Sequence, residues 1–193
     1  MTPTKRRVLD AAIDILGTEG LRALTHGRID ERAGVPKGST SNYFRTREAL
    51  LTGVLDSILE RELPEVSAAV APSSAAELID GLCTLIVQLT TVNRTVTTAR
   101  YVLFMEASHD ARLRNALSRG RAELEPLVVV ALASLGARNP QTAATAVAAV
   151  CGGLILHRIA RHDTTDPRPA LELVVQAALT DLSSAAVPPL RLR

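Results

Sequence analysis

Apolar residues recur at three- and four-residue spacing along almost the whole chain, and the runs are punctuated by helix starts and stops. Thr2 can cap a first helix with Pro3 at its first position. Val8, Ala12, Ile15 and Leu16 then form one apolar stripe, ended by Gly17 and Gly20. Thr25 opens a short second helix carrying Ile29 and Ala33, stopped by Gly34. Pro36 suits the first turn of a third, running to about Phe44. Thr46, with Glu48 in the first turn, opens a fourth whose apolar face is Leu50, Val54, Leu55 and Ile58. This spacing leaves little room for strands. The run Leu127-Val128-Val129-Val130 has β propensity, but its flanks read helical. The expected fold class is all-α.

The composition breaks between Leu63-Pro64 and Ser73-Ser74. Beyond it the pattern predicts five longer, more apolar helices over about 74–91, 93–107, 110–135 (bent at Pro126), 140–162 and 168–184. A chain of 193 residues allows one domain and a small second one. The expected division is a three-helix N-terminal domain over about 1–48, a helical domain over about 49–187 and a flexible tail over 188–193.

Several classes are excluded. Tyr43, Phe44, Tyr101 and Phe104 are the aromatics and there is no Trp, so a sheet of base-stacking rings is not expected. Cys83 and Cys151 stand apart in apolar surroundings without a Cys/His cluster, so they read as reduced core thiols and no metal or other cofactor is expected. The N-terminus lacks a signal-peptide pattern. The longest apolar stretch, Ala143 to Leu156, falls short of the roughly 20 residues of a membrane span. The expectation is a cytoplasmic protein with no membrane partner.

The net charge of +2 is unevenly distributed. Residues 1–50 carry nine basic and six acidic residues, whereas the remainder carries thirteen and fourteen. The basic excess therefore sits in the first quarter of the chain, which includes residues 25–44, where two short helices flank a tight Ala33-Gly34-Val35 turn. Gly34 allows positive φ, and the small Ala33 allows close approach. Lys37, Ser39, Thr40, Ser41 and Asn42 fall at the expected exposed positions of the second short helix. Hydroxyl and amide groups bond base edges and phosphates, a helix fits the major groove, and a helix N-terminus offers amides to phosphate. This is a helix-turn-helix pattern, and double-stranded DNA is the expected partner.

The stretch Ala33-Gly34-Val35-Pro36-Lys37-Gly38-Ser39, then Asn42-Tyr43-Phe44, then Thr46-Arg47-Glu48-Ala49-Leu50-Leu51, resembles the TetR family of bacterial transcriptional repressors. The likeness extends upstream through Ala11-Ala12, Gly20, Leu24-Thr25 and Ile29. It implies that Thr25, Arg28 and Arg47 face phosphate and that Tyr43 contacts the DNA backbone. It also implies that Lys37, Gly38, Ser39, Thr40, Ser41 and Asn42 form the reading segment, with Phe44 in the core. The chain departs from the family at Ser41, where many members have Tyr, and at Asp30, where Ala is usual.

The resemblance further implies a homodimer on a palindromic operator, released by a small-molecule effector bound in the C-terminal helices. Candidate effector contacts are Leu82, Leu85, Tyr101, Phe104, Met105, Leu124, Val128, Cys151 and His157. Their apolar character points to an uncharged or weakly polar hydrophobic effector. For the dimer, Ala143, Ala144, Ala146, Ala148, Ala149, Gly152 and Gly153 offer a closely approachable face. Leu171, Val174, Val175, Ala178, Leu179 and Leu182 make the next helix apolar on one side.

Two other classes stand beside this reading. An all-α enzyme lacks the common nucleotide, metalloprotease and nucleophile motifs. Glu123 and Glu125 diverge on a helix, and Glu106, His109 and Asp110 read as a mixed-charge helix end. A helical adaptor that no longer reads DNA draws support from Ser41 and Asp30 alone.

Overall fold

The computed structural model describes residues 1–180, and among these it contains nine α-helices and no strand. Leu182, the expected helix end near 184 and the expected flexible tail 188–193 lie outside the described residues.

Helix α1 (Pro3–Glu19) begins where the Thr2 hydroxyl accepts from the Lys5 amide at 3.3 Å. A 3₁₀ turn, Leu21–Ala23, was not evident in the spacing and leads into α2 (His26–Ala33), capped by Thr25. Helix α3 is short, Ser39–Tyr43, and follows a Pro36–Gly38 turn. The expected helix starting at Pro36 is thus shorter than its pattern predicted, because Gly38 takes a left-handed conformation (φ 90°) that interrupts it.

Helix α4 (Arg47–Ala69) opens on the Thr46 cap and runs past Leu63-Pro64, the start of the expected break, to end within that stretch. Pro64 removes one intrahelical donor, yet the helix is packed on both sides of it, by Val54, Leu55 and Ile58 before and Val66 after. The break comes later, at Val70–Ser74. The remaining helices are α5 (Ala75–Thr90), α6 (Arg94–Glu106), α7 (Ala111–Ser134), α8 (Pro140–Ala160) and α9 (Arg168–Leu179). Asp110 caps α7 through its amides, which explains that acid without catalysis.

Two apolar cores result. The first joins α1–α4 to Ala99, Leu103 and Ala107 around the end of α6 and to Leu113 and Ala116 of α7. The second joins α5, α8 and α9 with Ala131 and Leu132 of α7. The first core thus draws α6 and α7 in beneath the N-terminal helices. The closest seam is α1 on α6, where Gly17 lies against the Thr95 carbonyl.

Helix α8 is long and apolar enough, by length and composition, to cross a membrane. The apolar stretch Ala143 to Leu156 is too short by itself, but the helix extends beyond it at both ends, and those end turns do not lower the average much. Ala143, Ala144, Val147 and Ile155 seat it in the second core, but 22% of its most apolar window is buried within the chain. Ala143 and Ala144 therefore point inward rather than onto the expected dimer face, as do Leu171 and Val175 of α9. Ala146, Ala148, Ala149, Leu156 and Leu173 remain outside.

Candidate nucleic-acid interface

The turn between α2 and α3 is fixed from three sides. Gly34 ends α2 in a left-handed conformation (φ 58°), and its amide bonds the Glu31 carbonyl at 3.1 Å. Arg7 of α1 donates to the carbonyls of Ala33 (2.5 Å) and Gly34 (2.8 Å), satisfying the end of α2. The third side is Asp30, buried at 4% exposure. Its carboxylate accepts from the Gly38 amide (2.7 Å), the Thr40 amide (2.8 Å) and the Thr40 hydroxyl (2.6 Å). Burial pushes this carboxyl up, but the bonds from Thr40 and Gly38 outweigh burial and hold it below its ordinary value.

Asp30 corrects two expectations. Thr40 is fully buried and points at Asp30, so its side chain is not on the outward face of α3. The amides of Gly38 and Thr40 are already engaged by a carboxylate, so they are not free for a phosphate. The missed signal was the ten-residue spacing from Asp30 to Thr40 across the turn, which matters only once α2 and α3 are folded back.

The outward face of α3 retains Ser41, Asn42 and Tyr43, and Lys37, expected on the helix, stands in the turn before it; all four are exposed. Ser41 Oγ lies 3.0 Å from His26 Nδ1, tying the face to the start of α2. The Tyr43 hydroxyl accepts from Thr2 at 3.4 Å. Ser39 is half-buried and spends its hydroxyl on the Pro36 carbonyl at 2.5 Å, while Gly38 is half-buried in the turn. Phe44 fills the core beneath, its ring capped by Lys5 Nζ at 5.4 Å and lying against Gly53.

The flanking residues have internal tasks. Thr25 caps α2 through the Arg28 amide at 3.4 Å. Arg28 pairs with Glu19, whose carboxyl is held below its usual value by Arg28 and Arg32. Arg47 donates to the carbonyls of Leu24 and Leu21, both at 3.2 Å, instead of standing free. Arg45 is an exposed cation directly after α3 that the sequence reading passed over.

In the C-terminal helices, Leu82, Leu85, Tyr101, Val128 and Cys151 gather around the second core. Tyr101 donates to the Gly152 carbonyl at 2.7 Å, and burial pushes its hydroxyl up. Cys83 and Cys151 are free thiols, and burial raises Cys151 to about 12. Leu124 is half-buried outside that cluster. Phe104, at 58% exposure, Met105, at 66%, and His157 are on the surface and do not join it. They lie on outward turns of α6 and α8, which the apolar periodicity did not reveal.

Residues 8–54 match the model for bacterial regulatory proteins of the tetR family, and residues 73–181 match the tetracyclin repressor-like C-terminal domain. The chain is similar to the HTH-type transcriptional regulator BetI of Rhizobium meliloti (strain 1021), at 26% identity over 82% of this chain and 79% of BetI. A TetR-family member from Streptomyces coelicolor A3 is 26% identical and shares the fold over 92% of this chain and 99% of its own (TM-score 0.74). The multidrug binding protein EbrR, complexed with ethidium, is 25% identical and aligns over 90% of this chain and 97% of its own (TM-score 0.73). With both regions matched in order on a nine-helix fold that leads with a helix-turn-helix, the chain belongs to the TetR family of transcriptional regulators.

Proposed function

We propose that this chain is a ligand-responsive repressor that acts in the cytoplasm and binds a palindromic operator as a homodimer. The observation that carries the reading is the outward face of α3. Ser41, Asn42 and Tyr43, with Lys37 in the turn just before them, present polar groups on the outward side of a helix whose far side is pinned by Asp30. A short helix presented this way suits the major groove, with Asn42 and Ser41 toward base edges and Lys37 and Tyr43 toward the backbone. Arg45 adds a cation at the same edge. Thr25, Arg28, Gly38, Ser39 and Arg47 support this face more than they form it.

The dimer reading rests on α8. Ala146, Ala148, Ala149 and Leu156 with Leu173 of α9 leave an uncharged apolar strip uncovered in the single chain. A second copy on a two-fold axis buries it and sets the two α3 helices about one DNA turn, roughly 34 Å, apart. The effector reading draws on EbrR, a relative that holds a small molecule, and on the cluster around Leu82, Tyr101 and Cys151.

Selection from a random duplex pool with the purified full-length protein tests this reading. Enrichment of a palindrome with half-sites about one turn apart is expected, together with a dimeric mass in solution. A monomeric mass, or a selected site without two-fold symmetry, would sink the homodimeric repressor.

A further inference from the structure

Four side-chain atoms among the described residues are buried without a hydrogen-bond partner, and all four belong to facing turns of α4 and α6: Glu62 Oε1, Glu65 Oε2, Thr97 Oγ1 and Arg100 Nε. Glu62 is 4% exposed and Thr97 is fully buried. Arg100 Nη1 lies 3.2 Å from Glu62 Oε2. Glu65, one turn further along α4, spends its other oxygen on Asn93 (2.9 Å) and Gln88 (3.3 Å). Folded proteins seldom leave a buried polar atom unpaired, because each forfeits its hydration without return. The four lie together on two packed helices rather than scattered through the core.

The chemistry of the open atoms selects the occupant. Two are carboxylate oxygens, one is a hydroxyl and one is a single guanidinium N–H. Two acids face one arginine, so the patch lacks one positive charge. Burial pushes the Glu62 carboxyl up; Arg100 opposes this and neighbouring Glu65 adds to it. Without a guest, a proton on Glu62 relieves the imbalance; a cationic guest takes that proton's place and pairs with both acids, whereas an anionic guest would add to the excess negative charge. The cluster has no third metal-ligating side chain, and no group of three or more such residues occurs among the described residues. Tyr101, whose ring lies beneath Arg100 at 5.3 Å, supplies an apolar wall next to the charge.

We propose that Glu62, Glu65 and Thr97 anchor the effector, and that the effector is a small organic cation with at least two N–H donors, such as an amidinium or a protonated amine. This rests on the reading of the chain as a ligand-responsive regulator, and it replaces the expected uncharged effector with a charged-headed one. Pro64 sits between the two acids and removes a helix hydrogen bond where a guest would press on α4. The same helix begins at Arg47, which is bonded to the entry of α2.

The test uses the full-length protein with benzamidine and its neutral analogue benzamide at millimolar concentration, read by thermal denaturation and calorimetry. Benzamidine is expected to raise Tm and benzamide is not. The E65Q variant keeps the acceptor used by Asn93 and Gln88 and offers an amide to Glu62. It is expected to raise the Tm of the free protein by about 2–4 °C and to weaken benzamidine binding at least about tenfold. E62Q should weaken it similarly. A purely structural role for the Glu65 carboxylate predicts the opposite sign for free E65Q. The anchor is overturned if benzamidine leaves the parent Tm unchanged, if E65Q binds it as well as the parent, or if free E65Q is destabilised. Operator release, measured alongside, separates the two readings. A neutral compound that releases DNA equally from parent and E65Q leaves ligand responsiveness standing and removes the anchor. Glutamate-dependent benzamidine binding without release supports the anchor and removes the release mechanism.

Discussion

The helix-turn-helix and the α4–α6 layer behind it treat buried polar groups in opposite ways. In the first, the buried carboxylate of Asp30 answers three donors, and Arg7 and Arg47 close the carbonyls of α2 and of the preceding 3₁₀ turn. No buried side-chain polar atom is left over there. In the second, Glu62, Glu65, Thr97 and Arg100 each leave one open. An apolar strip of α8 is uncovered as well. A reader has to present one shape before DNA arrives, so its internal bonds are complete in the single chain. Under the proposed function, the open bonds of the second layer are the ones a ligand can complete, which would let its binding favour one conformation over another.

The sharpest way to break this contrast is at Asp30. Asp30→Ala strands the two amides and the hydroxyl of its partners, with an expected loss of about 2–4 kcal/mol and loss of measurable operator binding. Asp30→Asn retains an acceptor for Thr40 but turns an amide toward the Gly38 N–H, and should fall between the two. The parent carries an acid signature here. The folded carboxyl lies below its unfolded value, so its contribution is full above about pH 4 and is lost as pH falls through the folded value. Chemical denaturation of parent and Asp30→Asn across the acid range checks this, since the variant should lose less stability on acidification. Equal acid sensitivity would mean that Asp30 does not hold α3.

The second break is at the seam joining the regions. A Cβ on Gly17 would fall 2.1 Å from the Thr95 carbonyl oxygen and 2.7 Å from Thr95 Cγ2. The nearer atom is backbone, so α1 and α6 must separate. Gly17→Ala is expected to cost about 1–3 kcal/mol despite the better helix propensity of alanine. Gly27→Ala, with nothing within 4 Å, is the control and should be neutral or stabilise by up to about 1 kcal/mol. Matching unfolding midpoints for the two variants would show that the seam is loose.

What the sequence made legible follows the range of each interaction. Thr2, Thr25 and Thr46 cap helices three residues ahead, and such local bonds were readable directly. The five long helices of the second region were also readable from periodicity, apart from their ends. Pro64 misled because tertiary packing carried α4 across it. Thr40 and Asp30 are ten residues apart and meet only after the turn closes. Glu62 and Glu65 carry no local mark in the sequence beyond the proline between them. Their burial depends on α6, more than 30 residues away, and no local pattern announces it. Phe104, Met105 and His157 were misplaced for the same reason: spacing identifies an apolar face, but not which neighbour covers it.

The smallest expected effect separates reading from support within the DNA-binding region itself. Lys37 is exposed and makes no hydrogen bond or ion pair with another described residue, whereas Arg47 spends two donors on carbonyls of the neighbouring turn. Lys37→Ala should leave Tm unchanged within about 0.5 kcal/mol of stability. It should flatten the salt dependence of operator binding by about one unit of log–log slope per dimer arm, the loss of one phosphate contact. Arg47→Ala should cost about 1 kcal/mol of stability through the freed carbonyls of Leu21 and Leu24, whatever it does to DNA. Titrations over a salt series, with melting curves on the same samples, resolve the pair. An unchanged slope in Lys37→Ala would take the N-terminal end of α3 off the phosphate backbone. A melting curve for Arg47→Ala that overlays the parent would make Arg47 a DNA contact rather than a brace.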